Sequence, residues 1–234
     1  INNVFTNINL GTSAIKNLSR ILSIKSFDNN VVATSELTTR VTEGTTTIYV
    51  TVEVSSSILL LPEVPMTGRL DNPRVGYFTN PLTNFSDGQQ RVNKKQFITR
   101  WRLEPRPEDR AAYLRGELVE PRKPIVFYIE NSTPYRWRKY IKQGIEDWQV
   151  AFERAGFKNA IIAKDITEDM EVDMDDVNYS VLTYAASTKA NAMGPSILDP
   201  RSGEILEADI MWWHNVLSML QEWITVQTGV VRPG

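Results

Sequence analysis

Few residues in this sequence are of the types that carry out catalysis or bind a metal. The sequence has one histidine, His214, and no cysteine. Without cysteine there can be no disulfide, no thiolate nucleophile and no cysteine-ligated zinc, and a catalytic zinc site needs three protein ligands. His214 alone cannot complete such a site, and we interpret it as a residue at the start of a helix or on the surface. The sequence therefore predicts no catalytic residue and no metal ligand within this chain.

The acidic run Asp165–Asp176 is the other group that could hold a cation, since it contains seven carboxylates. An EF-hand calcium loop also requires an internal glycine and a closing glutamate, and this run lacks both. The pattern favours a solvated acidic loop.

Length and composition limit the class of protein. The 234 residues suffice for one large domain or two small ones, and 41% hydrophobic and 23% charged residues are ordinary for a soluble protein. A net charge of −2 without a basic cluster disfavours nucleic-acid binding. The longest apolar run, Ile58–Leu61, is too short to span a bilayer. Because the chain begins at Ile1 without a signal segment, we expect a piece of a longer protein.

The first half of the chain has the alternation that is typical of strands. Val31–Val41 and Thr46–Val54 are rich in β-branched residues and flank a turn, which predicts an antiparallel hairpin. Leu18–Phe27 has apolar residues at helical spacing and is predicted to be a short helix. Gln96–Leu103 is predicted to be a further strand.

Proline punctuates two segments of the chain. Between Leu61 and Phe78 it is dense enough to predict an extended segment without regular structure. Pro121–Pro124 is a short, stiff, polar stretch that predicts a domain boundary. We therefore expect a β-rich domain over residues 1–122 and a second domain over residues 123–234.

The second half predicts a βαβ unit. Ile125–Ile129 is an apolar run typical of a buried strand, and a helix is predicted from Pro134 to about Ala155. One apolar stripe follows this helix, formed by Trp137, Ile141, Ile145, Trp148 and Phe152. Ala160–Ala163 is the second strand, which we expect to be parallel to the first, and Asn178–Tyr184 is a third.

Ala192–Trp213 is predicted to be a hairpin in which two strands flank the turn formers Asp199–Gly203. A helix is predicted to follow over His214–Thr228. The pattern alone predicts that the hairpin lies on the surface and has no catalytic or binding role. The whole pattern predicts an α+β fold, a β-rich domain followed by a βαβ unit and a hairpin in a mixed sheet.

Several segments resemble a family of large secreted or periplasmic zinc-dependent metalloproteases of the metzincin type from Bacteroides-like bacteria. They are LLLPEVPM, RVGYF, RWRLEP, RGELVEPRKPIVFYIE, WRKYIKQGIEDWQVAFERAGFKNAI and DPRSGEILEADIMWWHN, and they cover most of Ser57–Gly234. The resemblance implies that residues 123–234 are the upper half of a metzincin-like catalytic domain, truncated before the HExxHxxGxxH zinc motif. The resemblance thus implies that the full-length protein binds zinc and that this fragment does not.

The resemblance also implies a substrate-binding role for the hairpin. In that family its outer strand forms the upper rim of the cleft, and an extended substrate pairs with the free edge. The matching residues are Ala192, Met193, Gly194, Pro195 and Ser196. Pro195 suits an edge strand because it lacks a ladder N–H, and Gly194 permits close approach of another backbone.

We therefore expect the chain to be part of a secreted, periplasmic or cell-surface zinc endopeptidase that acts on peptides or proteins. This stretch is expected to be inactive by itself. The alternative is a non-enzymatic module that binds peptides, proteins or carbohydrate. Six tryptophans suggest carbohydrate, but Trp137 and Trp148 are predicted to lie in the core. A truncated catalytic domain would expose apolar surface, which favours a homodimer.

Overall fold

The computed structural model describes residues 13–85, 88 and 90–231. These residues form twelve strands in four sheets, together with helices, and the predicted α+β class is confirmed. The chain divides into two compact units. One comprises the described residues up to Leu61 together with Asp175–Val177, and the other comprises the remainder. The sequence predicts a boundary near Arg122, whereas residues 62–122 lie within the second unit.

The first unit contains a three-stranded antiparallel sheet. Its strands are β1 (Arg20–Ser26), β2 (Asn30–Glu43) and β3 (Thr46–Leu59), in the order β1-β2-β3. Gly44, with φ of +60°, lies in the two-residue turn that joins β2 to β3. The predicted hairpin is confirmed, because alternation of β-branched residues is a local signal that long paired strands satisfy.

The short helix predicted over Leu18–Phe27 is wrong, because most of this segment is β1. Ile21 lies opposite Ser35 and Ile24 lies opposite Ala33, with an irregularity in register between them. The hydrogen-bonding groups that β2 offers outweigh the weak helical spacing of this segment.

Asp175–Val177 belongs to the first unit through the buried side chain of Asn30. The Asn30 Nδ2 group donates to the Asp175 carbonyl at 2.7 Å, and Asn30 Oδ1 accepts from the Val177 N–H at 3.2 Å. Both ends of the Asn30 amide are thus paired, which allows this polar side chain to be buried.

The second unit begins with the proline-rich segment, which contains no helix or strand between residues 61 and 78, as predicted. A small antiparallel sheet follows, made of β4 (Thr79–Asn84) and β5 (Asn93–Ile98). The strand predicted over Gln96–Leu103 therefore ends early, at Ile98. A short helix, α1 (Arg110–Leu114), comes next.

The main sheet of the second unit has five strands in the order β7-β6-β8-β12-β9. These are β6 (Ile125–Ile129), β7 (Ile161–Asp165), β8 (Ser180–Ala185), β9 (Ala192–Met193) and β12 (Ile210–Trp213). Every neighbouring pair is parallel except β12 and β9, which are antiparallel. The predicted parallel βαβ strands and mixed sheet are confirmed.

The single long helix predicted from Pro134 to Ala155 is instead two helices, α2 (Tyr135–Glu146) and α3 (Gln149–Arg154). At the break the Trp148 N–H bonds to the carbonyl three residues earlier, at 3.4 Å, instead of four residues earlier. The Gln149 side-chain oxygen accepts backbone N–H groups at the start of β7, so α3 is held against that strand.

The main core lies between α2 and the sheet. Ile129 and Leu182 are buried on the sheet, and Ile141 and Ile145 of α2 pack on them. Trp137 is partly buried against this core, but Trp148 is 64% exposed. The expectation that Trp148 is a core residue is therefore wrong, because the helix break turns it away from the stripe.

The predicted hairpin is divided between two sheets. Its inner part forms a separate antiparallel pair, β10 (Ser196–Leu198) and β11 (Ile205–Ala208), while its ends form β9 and β12 of the main sheet. The last helix, α4 (Val216–Val231), lies close to the predicted position. None of the helices in the described part of the chain is long and apolar enough to cross a membrane.

Candidate peptide-binding edge

The five residues predicted to bind substrate form one exposed strip at the end of the main sheet. Ala192 and Met193 make up β9, Gly194 and Pro195 connect β9 to β10, and Ser196 begins β10. All five residues are exposed. Among the described residues β9 pairs with β12 alone, so its other side is a free edge.

The hydrogen bonds to the neighbouring strand show which backbone groups of the strip point inward. The Trp213 N–H donates to the Asn191 carbonyl at 3.3 Å, and the Asp209 N–H donates to the Pro195 carbonyl at 3.0 Å. Hydrogen-bonded residues alternate along an antiparallel strand. The odd-numbered residues from 191 to 195 therefore face β12.

The even-numbered residues of the strip consequently direct their backbone outward. The Ala192 N–H donates to the Asn191 side-chain oxygen at 2.9 Å, which leaves its carbonyl oxygen to face solvent. Gly194 presents both its N–H and its carbonyl, and a Cβ at this position would meet the Asp209 carbonyl only at 3.7 Å. The strip is thus exposed and keeps outward backbone groups with which an extended peptide could pair.

One face of the sheet carries a row of methionines beside the edge. Met193 lies opposite Met211, which lies opposite Thr183, and the Thr183 hydroxyl contacts the Met174 sulfur at 3.7 Å. We call Met174, Met193 and Met211 the methionine row; they are 56%, 48% and 37% exposed. Flexible thioether side chains can accommodate apolar groups of different shapes.

The other face of the same strands is anchored in the core. Ala192 lies opposite Trp212, and Trp212 lies opposite Tyr184. Trp212 packs against the main hydrophobic core. Burial on this face holds β12 in place, so the edge strand is supported by a rigid neighbour.

A pair of carboxyl groups lies where the hairpin divides. Glu207, on β11, is 7% exposed, and Asp209 accepts the Val181 N–H at 2.8 Å. Burial raises the pKa of Glu207 to about 8, and the hydrogen bond and charge of Asp209 contribute to this rise. The raised pKa favours the neutral form of the Glu207 carboxyl, which can donate a hydrogen bond to Asp209.

The turn at Asp199–Gly203 is closed by a buried carboxylate. Asp199 is fully buried and accepts the Arg201 backbone N–H at 2.9 Å and the Arg201 guanidinium at 2.7 Å. The hydrogen bond from Arg201 holds the pKa of Asp199 below its usual value. The same guanidinium donates to the Pro62 carbonyl at 2.7 Å, so the turn also fixes the start of the proline-rich segment.

A second arginine makes a similar connection. Arg102 pairs with Glu204 at 2.6 Å and also donates to the Val64 carbonyl at 2.9 Å. Arg100 donates to the Thr67 carbonyl at 2.8 Å. The proline-rich segment offers backbone carbonyls, and three arginines of the second unit bind them. The turn therefore holds the proline-rich segment in place. Its charged residues, Asp199 and Arg201, are paired with each other.

His214 lies just after β12, and its Nδ1 atom is hydrogen-bonded to the Tyr184 hydroxyl. Nearby, the Lys189 ammonium lies 4.3 Å from the centre of the Trp213 ring. Within the described part of the chain, no three His, Cys, Asp or Glu residues are grouped so that they could hold a metal ion. We therefore assign none of these residues to a zinc-dependent step, and the zinc of the full-length protein stays a prediction.

The acidic run is less simple than a solvated loop. Asp165 pairs with Lys142 at 2.5 Å within the second unit. Asp175 pairs with Lys25 at 2.8 Å within the first unit. At least two of its carboxylates thus have ion-pair partners that are distant in sequence, which no local pattern could have indicated.

The sequence interpretation missed the Glu207–Asp209 pair. Its only signal is the presence of two acidic residues in the otherwise apolar stretch Ile205–Trp213. A strand that buries one face seldom carries a carboxylate at a buried position unless that carboxylate has a partner. The burial itself depends on the pairing of β11 with β10 and could not be read from the spacing.

Part of the chain matches a known family. The family described as "Domain of unknown function (DUF5117)" matches residues 1–106. This stretch includes the sheet of the first unit and, in the second unit, the proline-rich segment, β4 and β5. No curated protein and no solved structure matches the chain.

Proposed function

We propose that this chain is part of a zinc-dependent endopeptidase and that the β9 edge binds the extended substrate. The observation that carries the proposal is the outward backbone of Ala192 and Gly194 on an antiparallel strand at the end of a parallel sheet. The resemblance to metzincin-like metalloproteases assigns the cleft rim to the same residues.

The edge can recognise peptide backbone independently of sequence. The Ala192 carbonyl can accept one hydrogen bond, and Gly194 can donate one and accept one. Each contributes about 0.5–1.5 kcal/mol net, so the edge by itself gives weak binding that does not depend on the peptide sequence.

Side-chain preference would come from the methionine row. Side chains of an extended peptide alternate between the two faces of the sheet that the peptide joins. Those on the face of Met193 and Met211 meet exposed thioethers, whereas the opposite face is closer to Trp212 and Tyr184. We therefore expect a preference for apolar side chains at alternate substrate positions.

The reaction itself would depend on residues outside this chain. In the parent protein a zinc ion would supply an activated water for attack on the peptide carbonyl. This chain would bind and orient the substrate, in a secreted, periplasmic or cell-surface enzyme as the resemblance implies.

Backbone methylation of a peptide tests the edge directly. A fluorescent, apolar, extended peptide is titrated with this chain, and each backbone N–H of the peptide is methylated in turn. Pairing with an edge predicts weaker binding at alternate peptide positions only, because only alternate N–H groups face the protein. Equal loss at every position, or no loss at any, would contradict the proposed edge.

The full-length protein tests the peptidase assignment separately. We expect the gene to encode HExxHxxGxxH after residue 234, and the purified protein to hold about one zinc per chain. Replacement of the motif glutamate with glutamine should abolish casein cleavage but leave zinc in place. A protein that lacks the motif, or cleaves casein equally well without that glutamate, is not the enzyme proposed.

A non-enzymatic peptide-binding module is the second candidate. It is favoured by the fact that the edge needs only backbone groups and the methionine row, all of which this chain supplies. The two candidates share the methylation result and differ in the zinc and casein results.

A further inference from the structure

The strand β3 has a long outer edge that the described residues leave unpaired. β3 spans Thr46–Leu59 and is the last strand in the order β1-β2-β3. Glu43 and Thr46 flank the two-residue turn and form a hydrogen-bonded pair, so the even-numbered residues of β3 bond to β2. The odd-numbered residues direct their N–H and C=O groups away from the sheet.

Side-chain contacts between β2 and β3 are consistent with this alternation of hydrogen-bonded and non-hydrogen-bonded pairs. Thr38 and Thr51 have hydroxyls 2.9 Å apart, as expected for the closer, non-hydrogen-bonded pairs. Five outward-facing positions along the middle of β3 are exposed; they are Thr47, Tyr49, Thr51, Glu53 and Ser55. Within the described part of the chain, no strand covers this edge.

The two edges of the sheet differ in their protection against pairing. β1 has a break in register between Ile21 and Ser23, and it carries Arg20 and Lys25. Bulges and basic residues are the usual means of preventing edge-to-edge association. β3 pairs with β2 without a register shift over its full length, contains no proline or lysine, and has Glu53 as its only charged residue.

The sequence of β3 is self-complementary in one register. With Thr51 opposite Thr51 of a second copy, Ile48 faces Val54 and Val50 faces Val52 on one side of the sheet. A shift of two residues to a centre at Glu53 would place two carboxylates directly opposite each other, which is unfavourable. A centre at Val50 would place Val54 opposite Thr46, and a centre at Val52 would place Ile48 opposite Ser56.

We propose that β3 pairs antiparallel with β3 of a second copy of this chain, centred on Thr51, to form one continuous sheet across both copies. On the opposite side of the sheet Glu53 then faces Tyr49 of the second copy. The five outward residues of each copy would exchange about ten main-chain hydrogen bonds. This interface is separate from the β9 edge and does not depend on the proposed peptidase activity.

Single cysteines test both the partner and the register, because the chain contains no cysteine. The variants Thr47→Cys, Thr51→Cys and Ser55→Cys are each spin-labelled, and the distance between labels is measured after the mass is determined by light scattering. In a dimer centred on Thr51, the backbones at residue 51 lie about 5.5 Å apart. Those at residue 47, and those at residue 55, lie about 27 Å apart, because eight residues separate them along the strands.

The control variants place lysine on either edge. Thr51→Lys should give a monomer with an unchanged circular dichroism spectrum, whereas Ser23→Lys on β1 should leave the dimer intact. A monomer at every concentration up to the limit of solubility would overturn the proposal. A dimer in which the residue 51 labels are no closer than the other two pairs would also overturn it.

Discussion

The backbone N–H of Asp209 donates to the carbonyl of Pro195 at 3.0 Å, which joins the candidate peptide-binding strip to the partner of the buried Glu207 carboxyl. The side chain of Asp209 accepts the Val181 N–H from β8 at 2.8 Å. One residue thus bonds to the strip through its backbone and to the main sheet through its side chain. Asp209 therefore connects the strip to the main sheet and lies beside the buried Glu207 carboxyl.

The first prediction concerns the pH dependence of stability. The pKa of Glu207 is about 8 in the folded chain, against an ordinary value of 4.5. The folded state holds the extra proton within this range, so the free energy of unfolding falls as pH rises from about 4.5 to about 8, by at most about 1.4 kcal/mol per pH unit. Glu207→Gln should flatten this slope in urea denaturation, since glutamine cannot ionise.

Glu222→Gln is the matched control for this prediction, because Glu222 is an exposed carboxylate on α4. It should keep the slope of the original chain. An unchanged slope in Glu207→Gln would show that the Glu207 carboxyl is not buried as described.

The second prediction concerns the buried carboxylate of the turn. Asp199→Ala removes the acceptor for the Arg201 backbone and guanidinium N–H groups and should lower the free energy of unfolding by about 2–3 kcal/mol. Because the folded-state pKa of Asp199 is lowered, its contribution is present above the unfolded-state pKa and is lost as pH falls through the folded-state value. The penalty of Asp199→Ala should therefore be smaller in acid.

Chemical denaturation at neutral and acidic pH measures this difference. Glu168→Ala, at an exposed position of the acidic run, serves as the control and should change stability by less than about 0.5 kcal/mol. Equal effects of the two substitutions would contradict a structural role for the turn.

The third prediction concerns Gly203, which ends the same turn with φ of +75°. A Cβ atom at this position would lie 2.6 Å from the Ile98 carbonyl oxygen, closer than van der Waals contact allows. Gly203→Ala should therefore destabilise the chain by about 2 kcal/mol or more in thermal or urea unfolding.

Gly76→Ala is the control for this substitution, since a Cβ there meets nothing within 4 Å. Its stability should stay within about 1 kcal/mol of the original. If Gly203→Ala were tolerated as well as Gly76→Ala, the turn could not lie as close to the Ile98 carbonyl as described.

Local patterns predicted much of the fold. Ile125–Ile129 and the β-branched stretches of β2 and β3 are long and uninterrupted, and their secondary structure follows from their own side chains. β1 was not predictable in the same way, because Ile21 and Ile24 gain their strand conformation from pairing with β2. The break before α3 likewise depends on Gln149 bonding to a strand that follows later in the chain.

The candidate strip was located by family resemblance, whereas its alternation indicated only a surface hairpin. Which of its backbone groups point outward could not be predicted, because this depends on the register of Trp213 and Asp209 against residues 191–195. The burial of Glu207 depends on tertiary packing in the same way. The peptidase activity and the division of the chain near Arg122 stay predictions.

Gly194→Pro tests most directly whether the outward backbone of Gly194 binds an extended peptide. Proline removes the outward N–H, whereas Gly194→Ala retains it, and the position is open because a Cβ there would lie 3.7 Å from the nearest atom. The measurement is the affinity of both variants for the fluorescent peptide, with melting temperatures as a check on folding. We predict that Gly194→Pro binds about 3- to 10-fold more weakly at an unchanged melting temperature, while Gly194→Ala binds normally. Equal affinity of the two folded variants would contradict the claim.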